Sequence, residues 1–302
     1  MTSGPSWDNL HAFLDIARSP SLGAAARRLG VTTSAMSQRL STIEKQVGMQ
    51  LVHRSSRGLK LTEAGQALRA GCEQMERAAQ CLLDDGGREG QMRGSVRLSC
   101  PVGLIDALIV PMLTKLLLRN PGVSLEIVAS DEHVDLKKLG IDVALRFGWT
   151  RDGDYFAKKL ASFEEFVCAS PEYLQRRGLP ERPEDLAAHD WIGYAGFGAR
   201  QRLTFRHRTE SSVRVSIGCR VLTSSSTSIA HWLCAGAGIS RQPAPVVQSL
   251  IEAGRVTRVL ASWELPGPSL YAVYNRTTGA PHVREIVSFL GQEMRSATMP
   301  GR

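Results

Sequence analysis

Residues 21–65 read SLGAAARRLGVTTSAMSQRLSTIEKQVGMQLVHRSSRGLKLTEAG, and their spacing sets the architecture of the N-terminal part of the chain. Ser21 stands before Leu22, Ala25, Ala26 and Leu29, which predicts a short helix with a hydroxyl N-cap. Gly30 suits the left-handed position that follows it. A further helix begins at Thr32 or Thr33, because Met36, Leu40, Ile43 and Val47 fall on one helical face, and Gly48 ends it. The opposite face carries Thr33, Ser34, Ser37, Gln38 and Ser41, with Arg39 alongside. Short hydroxyl and amide side chains can donate and accept at base edges without leaving a buried charge. Upstream, Leu10, Phe13, Leu14 and Ala17 repeat at helical spacing. Helix, short helix, tight turn and polar-faced helix make a helix-turn-helix with its recognition helix ready for a major groove.

Downstream, residues 51–62 read as a hairpin with its tip at residues 55–58. Such a wing would bring Arg54 and Arg57 to phosphates or into a minor groove, although the same residues would serve as a solvated basic turn on any three-helix domain. Residues 62–85 lack proline and place Ala64, Leu68, Gly71, Met75, Ala78 and Leu82 in a short heptad-like seam. That is about 36 Å of helix with a narrow apolar stripe, which needs either a second copy of the chain or a surface of its own chain. Residues 84–94, DDGGREGQMRG, read as a hinge.

Beyond the hinge the pattern becomes βαβ. Strands are expected at 96–100, 123–129 and 143–147, with a helix over 104–119 that Pro111 would kink and a short one over 136–139. A second series follows, with strands at 166–169, 191–194 and 213–217 and helices at 171–177 and 225–235. Residues 270–274 and 282–294 give a late strand and helix. The alternation points to a largely parallel, doubly wound sheet. In such sheets ligands sit beyond the carboxyl ends of strands and at helix N-termini. That rule selects Cys100, Pro101 and Val102, then Ser130 and Asp131, then Arg146 and Phe147, then Thr223, Ser224, Ser225 and Ser226. Arg146 could pair with a ligand carboxylate or with a nearby acid of the chain. The serine run could hold an anion or simply cap a helix. The effector expected here is small and polar or anionic. Cys100 raises a redox role against the simpler one of a buried thiol.

Composition narrows the classes. The 302 residues suit about two domains. Six scattered cysteines form no C-x-x-C pair, which argues against a zinc knuckle or a disulfide framework. The net charge is +8, and residues 1–60 hold eight Lys/Arg against three Asp/Glu, a balance that suits phosphates. The N-terminus lacks the basic-then-apolar order of a signal peptide, and no apolar run reaches the ~18 residues of a membrane helix. A cytoplasmic protein without a membrane contact is therefore expected, and a transporter's solute-binding protein is disfavoured. No G-x-G-x-x-G, P-loop, G-x-S-x-G or H-E-x-x-H occurs, and the seven histidines show no ligand spacing. Neither an enzyme, a cofactor nor a metal is expected.

Over residues 10–65 the chain resembles the DNA-binding domain of the LysR-type transcriptional regulators. The resemblance rests on Phe13, Ser21-Leu22, Ala24-Ala25-Ala26, Leu29, Val31-Thr32, Ser34-Ala35-Met36-Ser37, Leu40, Ile43-Glu44, Val47-Gly48, Leu51, Arg54 and Leu61-Thr62-Glu63-Ala64-Gly65. Val52 and Ile43 stand where Phe and Leu are usual, and both remain apolar. A looser resemblance continues through residues 142–148 (DVALRFG), 169–174 (ASPEYL) and 235–239 (AGAGI). It implies an α/β protein with an N-terminal all-α winged helix-turn-helix over residues 1–61. A linker helix and hinge follow over 62–93, then a two-lobed, periplasmic-binding-protein-like α/β effector domain over 94–302. Lobe I would comprise about 94–164 and 267–302, and lobe II about 165–266. The resemblance implicates Thr33, Ser34, Ser37, Gln38 and Arg54 in DNA contact; exposure and charge add Arg39 and Arg57. It also implies double-stranded operator DNA as a partner, a small-molecule effector in the cleft, and dimers through the linker helix that pair into tetramers. RNA polymerase is a further partner it leaves open.

Overall fold

The computed structural model describes residues 4–55, 58–84, 92–132, 135–148, 155–275 and 281–298. The chain divides into two compact units, Met1–Ser95 with Val134–Ile141, and Val96–His133 with Asp142–Arg302. Residues 134–141 pack with the N-terminal unit although they follow the first strand of the second.

In that unit three helices surround a small core: α1 (Trp7–Ala17), α2 (Leu22–Arg28) and α3 (Thr33–Val47). Each begins at a hydroxyl. Ser6, Ser21 and Thr32 accept from the backbone N–H three residues on, at 3.4, 3.2 and 3.2 Å. Gly48 ends α3 at φ 75°, a conformation that a side chain would strain. Phe13, Ile16, Ala25, Met36, Leu40 and Ile43 are buried together, so the apolar face read from the sequence is the packed one. The wing follows as β1 (Val52–Ser55) and β2 (Gly58–Leu61), paired antiparallel with Arg54 opposite Leu59. Glu44 fixes where it starts, since its Oε1 accepts from the N–H groups of Leu51 (2.8 Å) and Val52 (3.3 Å).

The linker helix α4 (Glu63–Asp84) is capped by Thr62, whose Oγ1 accepts from Gly65 N (3.0 Å) and donates to Gln50 O (2.7 Å). A Cβ at Gly65 would lie 2.1 Å from Leu51 O, so only glycine lets the helix pass the wing. Ala64, Leu68 and Cys72 pack into the three-helix core. The first half of the seam is therefore satisfied within the chain, while Met75 stays exposed; the side chain of Leu82 lies outside the described residues. Arg18 of α1 pairs with Glu76 of α4 at 2.8 Å. Residues 136–140 form turns rather than the expected helix, and Lys138 pairs with Glu63.

The second unit is built on one long sheet. Its first lobe contains β3 (Arg93–Cys100), α5 (Val102–Leu104), α6 (Val110–Arg119), β4 (Gly122–Ala129) and β5 (Val143–Phe147). A π-helical turn at Ile105–Ile109 links α5 to α6 just ahead of Pro111. The expected kink takes that form because proline removes a rung of the hydrogen-bond ladder. A 15-residue strand, β6 (Tyr155–Ala169), crosses to the second lobe. That lobe holds α7 (Pro171–Arg177), β7 (Trp191–Tyr194), β8 (Arg200–Phe205), β9 (Val213–Thr223), α8 (Ser226–Cys234), β10 (Ile239–Pro243), α9 (Ala244–Glu252) and β11 (Thr257–Val259). The chain returns on β12 (Leu265–Asn275) and closes with α10 (Pro281–Thr298).

Strand order is β4-β3-β5-β12-β6-β10-β7-β9-β8. The pairs β3–β5, β10–β7 and β7–β9 are parallel. Pairs involving β6 and β12 are antiparallel, as is β8–β9. The expectation of a largely parallel sheet is thus corrected to a mixed one. A strand that leaves one lobe and a strand that returns to it run in opposite senses, and β6 and β12 pair along most of their length. Among the described residues no helix is long and apolar enough to cross a membrane.

Candidate functional site

On α3, Thr33, Ser34 and Gln38 are exposed, and Ser37 is half-buried beside Met36 and Leu40. Ser41 Oγ and Thr42 Oγ1 donate back to the carbonyls of Ser37 (3.1 Å) and Gln38 (3.0 Å), so these two hydroxyls are occupied. The Gln38 amide has no such tie and presents a donor and an acceptor to solvent. Arg39 is placed differently from the expectation of an exposed cation: it is half-buried, and its Nε donates to Asn9 Oδ1 of α1 at 3.3 Å. Arg54 is described by its backbone on β1, and Arg57 lies outside the described residues. The helix start and Gln38 thus form one polar face whose reverse is the core.

The second unit holds a partly open cavity of about 570 Å³ between its lobes. Pro101, Ser130, Arg146, Phe147, Ser224 and Ser226 of the expected set line it. Arg146 is 6% exposed. Its Nη2 donates to Ser99 Oγ at 2.8 Å and its Nη1 to the carbonyl of Leu145 at 2.7 Å. A guanidinium carries five N–H donors, so these two bonds leave three. No carboxylate among the described residues lies within ion-pair distance of it. Burial pushes its pKa below the usual arginine range, opposed by the nearby Cys100 and Asp131. A buried cation without an ion pair is costly to maintain, and this one faces a space of small-molecule size.

The serine-rich start of α8 is already filled. Asp131, at the end of β4, accepts from Ser226 N and Ser226 Oγ through Oδ2, both at 2.7 Å, and from Val102 N through Oδ1 at 3.0 Å. Tyr194 Oη donates to Asp131 O at 2.7 Å, and Gly103 N donates to Ser226 Oγ at 3.1 Å. One carboxylate of lobe I therefore caps helix starts in both lobes, where anions are favoured. At Ser226 the anion is the chain's own carboxylate.

Four expected residues do not line the cavity. Cys100 is fully buried beneath it, and burial pushes its thiol up to about 11, so it is protonated at neutral pH. Val102 contributes only its N–H to Asp131. Thr223 Oγ1 accepts from Ser225 N (3.2 Å), and Ser225 Oγ accepts from Ser228 N (3.2 Å), so both act as caps. Conversely, the far wall holds residues that the sequence reading passed over: Glu165, Trp191, Tyr194, Phe197, Gln201 and Arg241. Arg241 Nη1 bonds Glu165 Oε2 at 2.8 Å, and its guanidinium lies 4.5 Å from the Phe197 ring centroid. Burial raises the Glu165 carboxyl, and Arg241 pulls it back. The missed signal was β6, whose length makes Glu165 part of a crossing strand rather than of a loop.

Comparison with known proteins covers both units. Residues 7–66 match the family described as bacterial regulatory helix-turn-helix protein, lysR family, and residues 89–295 match the LysR substrate binding domain. The HTH-type transcriptional regulator PtxR of Pseudomonas aeruginosa is 31% identical, with 95% of this chain and 92% of that one covered. The HTH-type transcriptional activator AaeR of Escherichia coli is 28% identical over 92% and 90%. Among solved structures, CrgA, a LysR-type transcriptional regulator from Neisseria meningitidis, is similar with a TM-score of 0.59 and 26% identity, covering 97% of this chain and 99% of that one.

Proposed function

The chain belongs to the LysR-type transcriptional regulators, DNA-binding proteins with a C-terminal effector-binding domain, and from that premise we propose that its effector is a small carboxylate or similar anion held by Arg146. The observation that carries this is the buried Arg146 guanidinium, without a carboxylate partner among the described residues, at the wall of a 570 Å³ cavity. Apolar residues such as Leu104, Phe147, Ile192 and Val246 line the rest and suit a compact apolar body behind the charged group. Ser130 and Ser224 also line the cavity and supply hydroxyls that would orient it. On the DNA side, Thr33, Ser34, Ser37 and Gln38 read base edges, and the wing arginines Arg54 and Arg57 hold phosphates.

Effector binding shifts the population between lobe arrangements, and the differential contact is the ion pair that Arg146 gains. The protein works as a dimer through α4, with dimers pairing into tetramers, and on operator DNA in the cytoplasm beside RNA polymerase. It carries no catalytic residue and needs no cofactor. The test is a thermal-shift screen of the full-length chain against small carboxylates, repeated on Arg146→Gln. A carboxylate that stabilises the wild type by several degrees and leaves Arg146→Gln unmoved supports the assignment. Equal stabilisation of both proteins refutes it.

A further inference from the structure

The antiparallel pair β8–β9 has a buried face and an outward one. Along β8 exposure alternates strictly, with Gln201, Leu203 and Phe205 buried and Arg200, Arg202 and Thr204 exposed. On β9 the exposed positions opposite β8 are Arg214, Ser216 and Gly218, and Arg220 and Leu222 are exposed beyond the paired stretch. The register sets Arg200 opposite Gly218, Arg202 opposite Ser216 and Thr204 opposite Arg214. The outward face is thus three arginines interleaved with two hydroxyls and a glycine. Residues 199–220 hold six arginines and one acid, Glu210, which Arg182 already engages at 2.9 Å. Arg220 pairs with Asp190 at 3.0 Å, and Arg206 stands opposite Glu264. Arg200, Arg202 and Arg214 have no ion-pair partner among the described residues.

We propose that this outward face of β8–β9 is a second, sequence-independent contact for the DNA phosphate backbone, distinct from the recognition helix and the wing. Three features favour a phosphate backbone over an acidic protein segment. Arg200 and Arg202 lie on the edge strand β8, about 6.8 Å apart, and Arg214 lies on the neighbouring β9 opposite Thr204, so the three spread charge over the face rather than focusing it on a single carboxylate. Their neighbours, Thr204, Ser216 and Gly218, are groups that contact phosphate or let it approach. Within the paired stretch the face carries no aromatic or apolar side chain of the kind that supplies most of the energy in protein interfaces; the exposed Leu222 lies beyond it on β9. Charge on an edge strand also deters strand addition, but that role does not distinguish arginine on this face from charge of either sign. The protein already binds DNA through another unit, so even weak phosphate contacts count, because tethering raises their effective concentration.

The experiment compares the full-length wild type with R200Q/R202Q/R214Q and R200K/R202K/R214K. Binding to a mixed-sequence duplex of about 60 bp is followed by fluorescence anisotropy between about 50 and 200 mM salt. Each phosphate contact contributes about 0.9 to the slope of log K against log salt. The glutamine triple should therefore lose about 2.7 of slope per protomer engaged, and the lysine triple should retain it. Circular dichroism checks that the variants fold; should the triple fail, Arg202→Gln alone should lose about 0.9. A wild-type slope in the glutamine variants overturns the proposal. So does an unchanged DNA slope accompanied by lost binding to poly-glutamate, which would give the face to an acidic protein segment.

Discussion

Replacing Asp131 by alanine tests whether one carboxylate ties the two lobes together. Asp131 accepts three hydrogen bonds, from Ser226 N, Ser226 Oγ and Val102 N. A hydrogen bond to a charged group contributes about 1.5–3 kcal/mol. The Ser226 N–H lies at 2.7 Å, at the start of α8, where no earlier carbonyl of the helix can replace the lost acceptor. Local opening there should become easier by that amount. Since about 1.4 kcal/mol is tenfold in an equilibrium, amide exchange at Ser226 should accelerate about 10- to 150-fold. Val102 should respond in the same direction and less strongly, because its bond is longer at 3.0 Å. Hydrogen exchange read by mass spectrometry on peptides spanning the starts of α5 and α8 measures both at once. Asp131→Asn keeps one acceptor oxygen and should fall between. Unchanged exchange at both sites in Asp131→Ala would show that the carboxylate holds nothing, and the account of the serine-rich helix start would fail with it.

Three further outcomes follow from the same structure. Gln38→Ala should cost about 1–3 kcal/mol of discrimination between operator variants and leave the salt slope unchanged, because an amide reads bases and not phosphates; competition binding with single-base operator variants measures it. Gly65→Ala should destabilise the N-terminal unit by about 3 kcal/mol or more, since its Cβ would meet Leu51 O at 2.1 Å; a lower melting transition reports it, and a wild-type transition would contradict the packing. Burial holds His282 below the ordinary histidine pKa, so the unfolded chain takes up a proton first as pH falls. Stability should therefore drop from about pH 6.5 downward, until the folded state's lower pKa is passed; thermal melts between pH 7.5 and 5.5 should show His282→Gln losing less than the wild type.

Local rules suffice for the N-terminal unit because its contacts are short-range. Ser21, Thr32 and Gly48 are caps that act within four residues, and Met36, Leu40 and Ile43 face the core because a helix of that sequence has only one apolar side. The same rules placed Arg146 at the carboxyl end of β5 and offered the start of α8 either as an anion site or as a plain cap. They could not say which anion. Ser225 and Ser226 read alike in sequence, yet one caps its own helix and the other is held by a carboxylate 95 residues away. Ala64 and Leu68 carried a heptad signal that fits a second chain as well as it fits α1, and only packing shows that they join the three-helix core.

What the sequence by itself determined was the kind of element at each place and the face it would bury, since both follow from periodicity and capping over a few residues. What only the tertiary structure decided was the pairing between distant segments. β6 and β12 run antiparallel across the lobes, Asp131 reaches the start of α8, and Glu165 and Arg241 meet on the cavity wall. Such pairings join segments from 76 residues apart (Glu165 and Arg241) to 120 apart (Tyr155 and Asn275), and depend on how the strands are ordered in one sheet. That order is set by the summed burial of the whole unit, and no local spacing encodes it.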